Sequence, residues 1–270
     1  MSSQERIRDV DLQAARDAAL AIAEEADEIS LRHFRGGVEP VAKADGSPVT
    51  VADRDVEALV RRRLAEQFPD HALLGEEQGG RLDSSQPTWV IDPIDATKNF
   101  MRGIPVYATL ISLVVDGEPM VGVASAPAMG ERWDAARRLG TRRNGKPVQV
   151  SGITELGDAH VLHGGLDWFR KRPQDWALLG ELADRAWRTR GFGDFWMHLL
   201  VAGGMADVAV ERDLRPWDIA AVACIVTEAG GRLTGWDGGS ALATGQALST
   251  NAHLHAEMLT LLSKTSADLG

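Results

Sequence analysis

The sequence predicts a layered α+β or α/β protein built from two closely associated halves. The expectation rests on a change of texture along the chain. Amphipathic helical patterns open it, short β-like runs separated by turn signals fill its middle, and strands alternate with helices beyond a soft boundary near Ser151–Asp158. With no long linker, repeat or low-complexity segment, residues 1–270 read as a single domain.

A first helix is expected from about Asp11 to Phe34, where Ala15, Ala18, Ile22, Ala26 and Ile29 recur at helical spacing, and Gly36-Gly37 ends it. Thr50 and Asp53 form a capping-box pair ahead of Val56, Leu59, Val60, Leu64 and Phe68, which line one face of a second helix. HALLG, TWVID, YATLISLVV, MVGVASAPA and RWDAARR then read as strands, punctuated by Asp116-Gly117 and Asn144-Gly145. TLISLVVDGEPMVGVAS is a hairpin pattern. A strand follows at HVLHGG, helical character from Gln174 to Trp187, a strand near Trp187–Phe192, a helix near Phe195–Ala202 and a strand in ADVAVE. In DIAAVACIVTEAGG the stripe Ile219, Val222, Val226 and Ala229 predicts an amphipathic helix capped by Gly230-Gly231. Strand-like ALST and the helix HAEMLTLLSK finish the pattern.

Hydrophobic residues make up 44% of the chain and charged ones 25%, and no apolar run reaches the ~20 residues of a bilayer span. A soluble globular protein is expected, not a membrane protein. The opening MSSQERIRDVDLQAARDAAL is charged and helical in pattern, without the apolar core of a secretory signal, so the cytoplasm is the expected compartment. Cys224 is the single cysteine, which excludes an intrachain disulfide and a thiolate metal cluster. A net charge of −10 argues against nucleic acid as the partner. Any anionic ligand then needs local help from a metal ion or a helix N-terminus.

Glu76 and Glu77 follow Ala72-Leu73-Leu74-Gly75, and Asp92 follows Trp89-Val90-Ile91, so these carboxylates stand where strands end. Pro93 has no N–H and biases the residue before it away from the helical region, which predicts that the chain leaves the sheet and turns at Asp92-Pro93. Asp92, the Ile94 carbonyl and Asp95 can then converge as hard oxygen donors, a set suited to Mg2+. Ala96-Thr97-Lys98-Asn99 reads as the first turn of a helix whose free N–H groups would bind phosphate. Metal carboxylates beside a phosphate-binding helix start are the parts of a metal-assisted phosphate ester hydrolase, in which water activated by the metal replaces a side-chain nucleophile. Singly, each residue has a simpler reading: Asp92 and Asp95 as turn residues, Glu76 and Glu77 as a solvated loop, Asp53 and Asp218 as helix caps. Their joint placement at strand ends and helix starts outweighs those readings.

WVIDPIDATKNF resembles the first signature of the inositol monophosphatase family of Mg2+-dependent, lithium-sensitive phosphatases, and PWDIAAVACIVTEAGG resembles the second. Leu74-Gly75-Glu76-Glu77 and Thr50-Val51-Ala52-Asp53 match further family elements in family order, so the resemblance covers nearly the whole chain. It implies an αβαβα sandwich of the inositol monophosphatase / fructose-1,6-bisphosphatase type. It also implies a homodimer acting on a small phosphorylated metabolite with about two or three Mg2+ ions per site. By the same resemblance, Glu76, Asp92, the Ile94 carbonyl and Asp95 hold a first metal, and Asp95 with Asp218 a second. Thr97 and Asp53 orient and deprotonate the attacking water, with Glu76 counted among the catalytic residues. Backbone N–H groups of Ala96 and Thr97 hold the phosphate, with Lys43 nearby. Ala96 stands where the family has glycine. In a left-handed conformation alanine would be strained by ~1–2 kcal/mol, but as the start of a right-handed turn it is expected to be harmless.

TRGFGDF resembles the R-x-[FY]-G-D-[FC] element of the histidinol-phosphate phosphatase branch, and VAGGMADVAVE, KNFMRGIPVYATL and SAPA resemble that branch too. Asp194 and Glu211, with Asp218, are the expected substrate contacts, their negative charge suiting the ammonium and imidazole of L-histidinol phosphate in histidine biosynthesis. Read alone, Asp194 is a turn or cap and Glu211 an exposed strand end. The alternatives are inositol-1-phosphate, another small metabolite phosphate, or a binding homologue with weakened catalysis. Of the remaining candidates, His253 and His255 are read as surface, Cys224 as core, Arg61-Arg62-Arg63 as a solvated face, and Trp196 and Trp217 as flanks of the leaving group.

Overall fold

Helix α1 (Leu12–Gly36) turns a stripe of small residues, Ala15, Ala19, Ala23 and Ala26, with Ile22, toward the core. The computed structural model describes residues 10–36, 41–42, 48–82 and 85–267; the expectation placed on Lys43 lies outside them. Two short strands, β1 (Val41–Ala42) and β2 (Pro48–Val49), pair antiparallel ahead of α2 (Val51–Gln67). The predicted capping box starts α2: Asp53 Oδ2 accepts from the Thr50 N–H at 2.8 Å, and the Ala52 N–H donates to Thr50 Oγ1 at 3.1 Å.

Strands β3 (Ala72–Gly75) and β4 (Thr88–Asp95), then the short helix α3 (Thr97–Met101), lead into the hairpin of β5 (Ala108–Val115) and β6 (Glu118–Ala126). Asp116 and Gly117 take φ of 53° and 82°, a mirror-image turn that follows the twist of the paired strands. Strands β7 (Glu131–Ala136), β8 (Gly140–Arg143) and β9 (Lys146–Val148) continue the meander, with Asn144 and Gly145 again at positive φ. The seven strands form one sheet in the order β3-β4-β5-β6-β7-β8-β9, parallel only between β3 and β4. Successive residues alternate faces. Trp89, Ile91, Ile111, Leu113 and Val121 pack under α1 and α2, while Leu110, Ala124, Trp133 and Ala135 face the opposite layer.

Beyond the predicted boundary the chain runs β10 (His160–His163), α4 (Leu166–Phe169), α5 (Pro173–Arg185), β11 (Arg188–Gly191), α6 (Asp194–Ala202), β12 (Val208–Arg212) and α7 (Pro216–Glu228). It ends with β13 (Arg232–Thr234), α8 (Ala241–Thr244), β14 (Gln246–Thr250) and α9 (His255–Ala267). The five strands form a second sheet, ordered β11-β10-β12-β14-β13, with β11, β10 and β12 parallel. Leu178 and Leu182 of α5 and Met258 and Leu261 of α9 cover its outer face. Helices α6 and α7 lie between the two sheets, which completes an α/β/α/β/α sandwich.

That central position corrects the stripe expected on α7. Ile219, Ala220, Ala221, Val222, Cys224, Ile225 and Val226 are all buried, because sheets flank the helix on both sides. His255 is also not a surface residue. It is fully buried at the start of α9, with Nδ1 at 2.9 Å from Thr250 Oγ1 and Nε2 at 3.1 Å from Thr234 Oγ1. Burial, then nearby Arg232, pushes its pKa down to about 4. His253 is exposed as expected.

Candidate active site

Asp92 and Asp95 sit three apart, so in a regular strand they would face opposite sides of the sheet. The structure corrects the expectation that the chain leaves the sheet at Pro93, and the correction resolves this conflict. β4 pairs Asp92 with Leu110 and then Asp95 with Ala108, three steps on one strand against two on the other. This is a bulge, and it turns both carboxylates to one side. The Ile94 N–H donates to Asp92 Oδ1 at 3.0 Å and Thr109 Oγ1 donates to Pro93 O at 2.8 Å, which hold the bulge in shape. Asp92 and Asp95 are buried, at 1% and 8% exposure.

Ala96 follows with φ 66° and ψ 44°, so the right-handed turn expected there is wrong. The backbone is left-handed, the conformation glycine takes freely and alanine adopts under strain. This kink redirects the chain into α3, where the Asn99 and Phe100 N–H groups both donate to Ala96 O. The preceding amides, at Ala96 and Thr97, stay outside the helix's own ladder. Thr97 Oγ1 donates to Ile94 O at 3.0 Å and lies 3.5 Å from Asp53 Oδ1. Asp53 therefore caps α2 with one oxygen and faces Thr97 with the other.

Glu76 stands at the end of β3, half-buried and lining the cleft described below. The turn that carries it is held by Glu57, a fully buried residue of α2 that the sequence reading passed over. Glu57 accepts from the Glu77 N–H at 2.7 Å and the Gln78 N–H at 3.0 Å. Arg61 Nε donates to Glu57 at 2.7 Å and its Nη2 donates to Gly79 O. Arg61 thus departs from the solvated face expected for Arg61-Arg62-Arg63. The legible signal was an acid and an arginine four apart on the buried side of an amphipathic helix. Gly75 is required by the same contact: a Cβ there would fall 2.3 Å from Glu57 Oε1.

The second half of the chain supplies the rest. Asp218, in the first turn of α7, accepts from the Arg215 N–H at 2.7 Å and so caps its helix, yet it also joins the cluster. Asp95 Oδ2 accepts from the Phe195 N–H at 2.7 Å. Asp194 opens α6 at φ 50°, and Glu211 is buried near the end of β12, not exposed. A cleft of about 800 Å³ runs between the halves, lined by Glu76, Ala96, Thr97, Asp194 and Glu211 together with Trp168 and Arg190. Trp168 and Phe192 are its tryptophan and phenylalanine. Trp196 and Trp217, expected to flank the leaving group, pack instead with the buried clusters around Leu199 and Val90.

Carboxylate oxygens of Asp92, Asp95 and Asp218 lie within 4.8 Å of one another. Burial, then the charges of Glu76 and Asp95, raises Asp92 well above the usual carboxylate range. Burial and then Asp194 do the same to Asp95. Burial pushes Asp218 up to about 7, and its side chain shares a hydrogen bond with Asp92. Burial, then Glu211, pushes Asp194 to about 7 against the opposing charge of Lys98. Desolvated like charges at this spacing cannot all ionise alone. A divalent cation reverses that, and an all-oxygen donor set fits Mg2+.

The profile of the inositol monophosphatase family matches residues 3–267. The chain belongs to the inositol monophosphatase family. As a member it is a Mg2+-dependent phosphomonoesterase. This family member is 43% identical over 250 residues to a histidinol-phosphatase of Mycobacterium tuberculosis, a match covering 90% of this chain and 96% of the relative. It is 39% identical over 231 residues to a histidinol-phosphatase of Chlorobaculum parvum, covering 85% and 89%. The crystal structure of the extragenic suppressor protein suhB from Bartonella henselae superposes with a TM-score of 0.86 at 27% identity, covering 93% of this chain and 99% of that one. Among the described residues of this phosphatase, no helix is long and apolar enough to cross a membrane.

Proposed function

We propose that this enzyme hydrolyses L-histidinol phosphate to L-histidinol and phosphate, a step of histidine biosynthesis. The observation that carries the reading is the pair Asp194 and Glu211 on the cleft wall, next to the metal-binding carboxylates. A cationic leaving group gains from such charges; unit charges 4 Å apart attract by ~4 kcal/mol at an effective dielectric near 20. A neutral polyol gains only hydrogen bonds. The names of the Mycobacterium and Chlorobaculum relatives support the same substrate.

In this reading Asp92, Asp95, Asp218, Glu76 and the Ile94 carbonyl hold about two or three Mg2+ ions. Bound Mg2+ supplies the Lewis acidity that activates water and stabilises the leaving oxygen. Thr97 Oγ1, anchored on Ile94 O, orients the incoming water, and Asp53 Oδ1 beside it takes the proton. The amides of Ala96 and Thr97 receive the phosphate oxygens. Asp194 and Glu211 on the cleft wall bind the leaving group, and Asp218, whose carboxyl feels the charge of Glu211, stands behind them as the third expected substrate contact.

A panel of esters tests this. Mg2+-dependent phosphate release is expected to be most efficient, by kcat/KM, on L-histidinol phosphate. Preference for inositol-1-phosphate would sink the substrate assignment, and no turnover on any ester while Mg2+ still binds would favour a binding protein instead.

The same reading takes residues 1–270 as one functional unit, since neither half alone completes the acidic cluster. It also takes the enzyme as a cytoplasmic homodimer. Exposed Ile104 and Trp187 offer apolar surface for pairing, and the lone Cys224 is buried. Sedimentation at micromolar concentration checks the pairing.

A further inference from the structure

The buried face of Glu211 is turned toward a histidine that the chemistry above does not use. Glu211 is 7% exposed, and its Oε2 is buried without a hydrogen-bond partner. His198 Nε2 lies 3.5 Å from that oxygen, and His198 itself is 2% exposed. The other ring nitrogen, Nδ1, is held at 2.7 Å by Ser249 Oγ, which is fully buried on β14. On the far side of the carboxylate, a Cβ at Gly164 would come within 2.3 Å of Glu211 Oε1. Gly164 therefore leaves room for one oxygen, while His198 stands behind the other.

The chemistry fixes which ring atom carries hydrogen. A bare Nε2 lone pair aimed at a carboxylate would repel it, so Nε2 bears the proton, and Ser249 serves the other nitrogen as donor or acceptor to match. A buried carboxylate with no such neighbour would be expensive to keep ionised. With His198 behind Oε2, Glu211 is set with Oε1 on the Gly164 side, where both residues line the cleft.

We infer that His198, seated on Ser249, is the positioning residue that holds Glu211 oriented toward the cationic part of the leaving group. The inference rests on the substrate reading above, because an oriented anion there discriminates only when the leaving group carries positive charge. His198 touches neither phosphate nor metal ligands in this role, so it acts on substrate affinity and not on the hydrolytic step.

The test is a double-mutant cycle on the full-length Mg2+-loaded enzyme, using His198→Leu, His198→Gln, Glu211→Gln and the His198→Leu/Glu211→Gln pair, assayed on L-histidinol phosphate and inositol-1-phosphate. His198→Leu is expected to raise KM for the cationic ester roughly 10-fold with a much smaller change in kcat, because the Nε2 edge that faces the buried Glu211 Oε2 at 3.5 Å is gone. His198→Gln, which keeps an N–H donor, is expected to recover most of that. In the Glu211→Gln background, His198→Leu is expected to add nothing. Thermal unfolding of each variant identifies any that fails to fold, and His198→Gln keeps the comparison open if His198→Leu does. A His198→Leu effect that persists without the Glu211 charge, or that falls on kcat equally for both esters, overturns the positioning role. Failure of the substrate reading shows separately, as a wild-type preference for the neutral ester.

Discussion

The Phe195 N–H donates to Asp95 Oδ2 across 100 residues of sequence, joining the first turn of α6 to the end of β4. The carboxylate at the centre of the acidic cluster is therefore aimed by the other half of the molecule. Asp95→Asn keeps an oxygen for this contact but removes the charge. Losing a metal ligand should exceed the ~10–100-fold losses typical of removing its supporting partners, so turnover is expected to fall by more than about 100-fold. Metal-free thermal stability should hold or rise, because one of several crowded buried charges is gone. Near-normal turnover would contradict the placement of Asp95 as a metal ligand.

Ala96 carries strain at φ 66°. Replacing it by glycine removes ~1–2 kcal/mol of left-handed strain, partly offset by ~0.4–1 kcal/mol from the greater freedom of glycine in the unfolded chain. Ala96→Gly is expected to gain roughly 0.5–1 kcal/mol with kcat unchanged or higher. Denaturant unfolding measures the gain; a destabilised Ala96→Gly protein would mean the left-handed backbone is wrong.

Glu57 holds the turn that presents Glu76. Glu57→Ala removes the acceptor of two part-buried amides and the fully buried carboxylate that pairs with Arg61, a loss on the order of 3 kcal/mol, the low end for a broken buried pair. Mg2+ affinity, read by calorimetric titration, should weaken by roughly 10–100-fold as Glu76 loses its support. Glu57→Gln should lose less in both.

The pH dependence follows from Asp194 and Asp218, both raised to about 7 from 3.8. A raised folded-state pKa means the folded protein favours the neutral acid. The resulting stabilisation is complete below 3.8 and is lost as pH rises through about 7. Without Mg2+, thermal stability should therefore fall across that interval. Saturating Mg2+ should remove most of the fall, since the ion favours the ionised form of Asp218. Melting temperatures in chelator and in Mg2+ check this, and Asp218→Asn should flatten the chelator curve.

The parts of the site that could be read from sequence are those encoded locally. Thr50 and Asp53 announce a capping box, and Asp116-Gly117 a hairpin, because caps and turns depend on a few adjacent residues. The run WVIDPIDATKNF likewise announces a buried strand delivering acids beside a proline. What such patterns leave open is direction. Spacing alone places Asp92 and Asp95 on opposite faces, and only the bulge against β5 brings them together. Glu57 and His198 pass without notice in the sequence, and His255 reads as surface, because their partners are distant in sequence or face them only after packing.

Taken alone, the sequence determined the order of the longer elements, the acidic candidates for metal binding and the all-oxygen character of that set, since these depend on residue type and nearby spacing. Tertiary structure decided the left-handed backbone at Ala96, the burial of Glu211 and the crowding that raises the aspartates. The reason is physical: desolvation and charge coupling act through space, and two sheets with α6 and α7 between them fold the chain's two halves around one cleft.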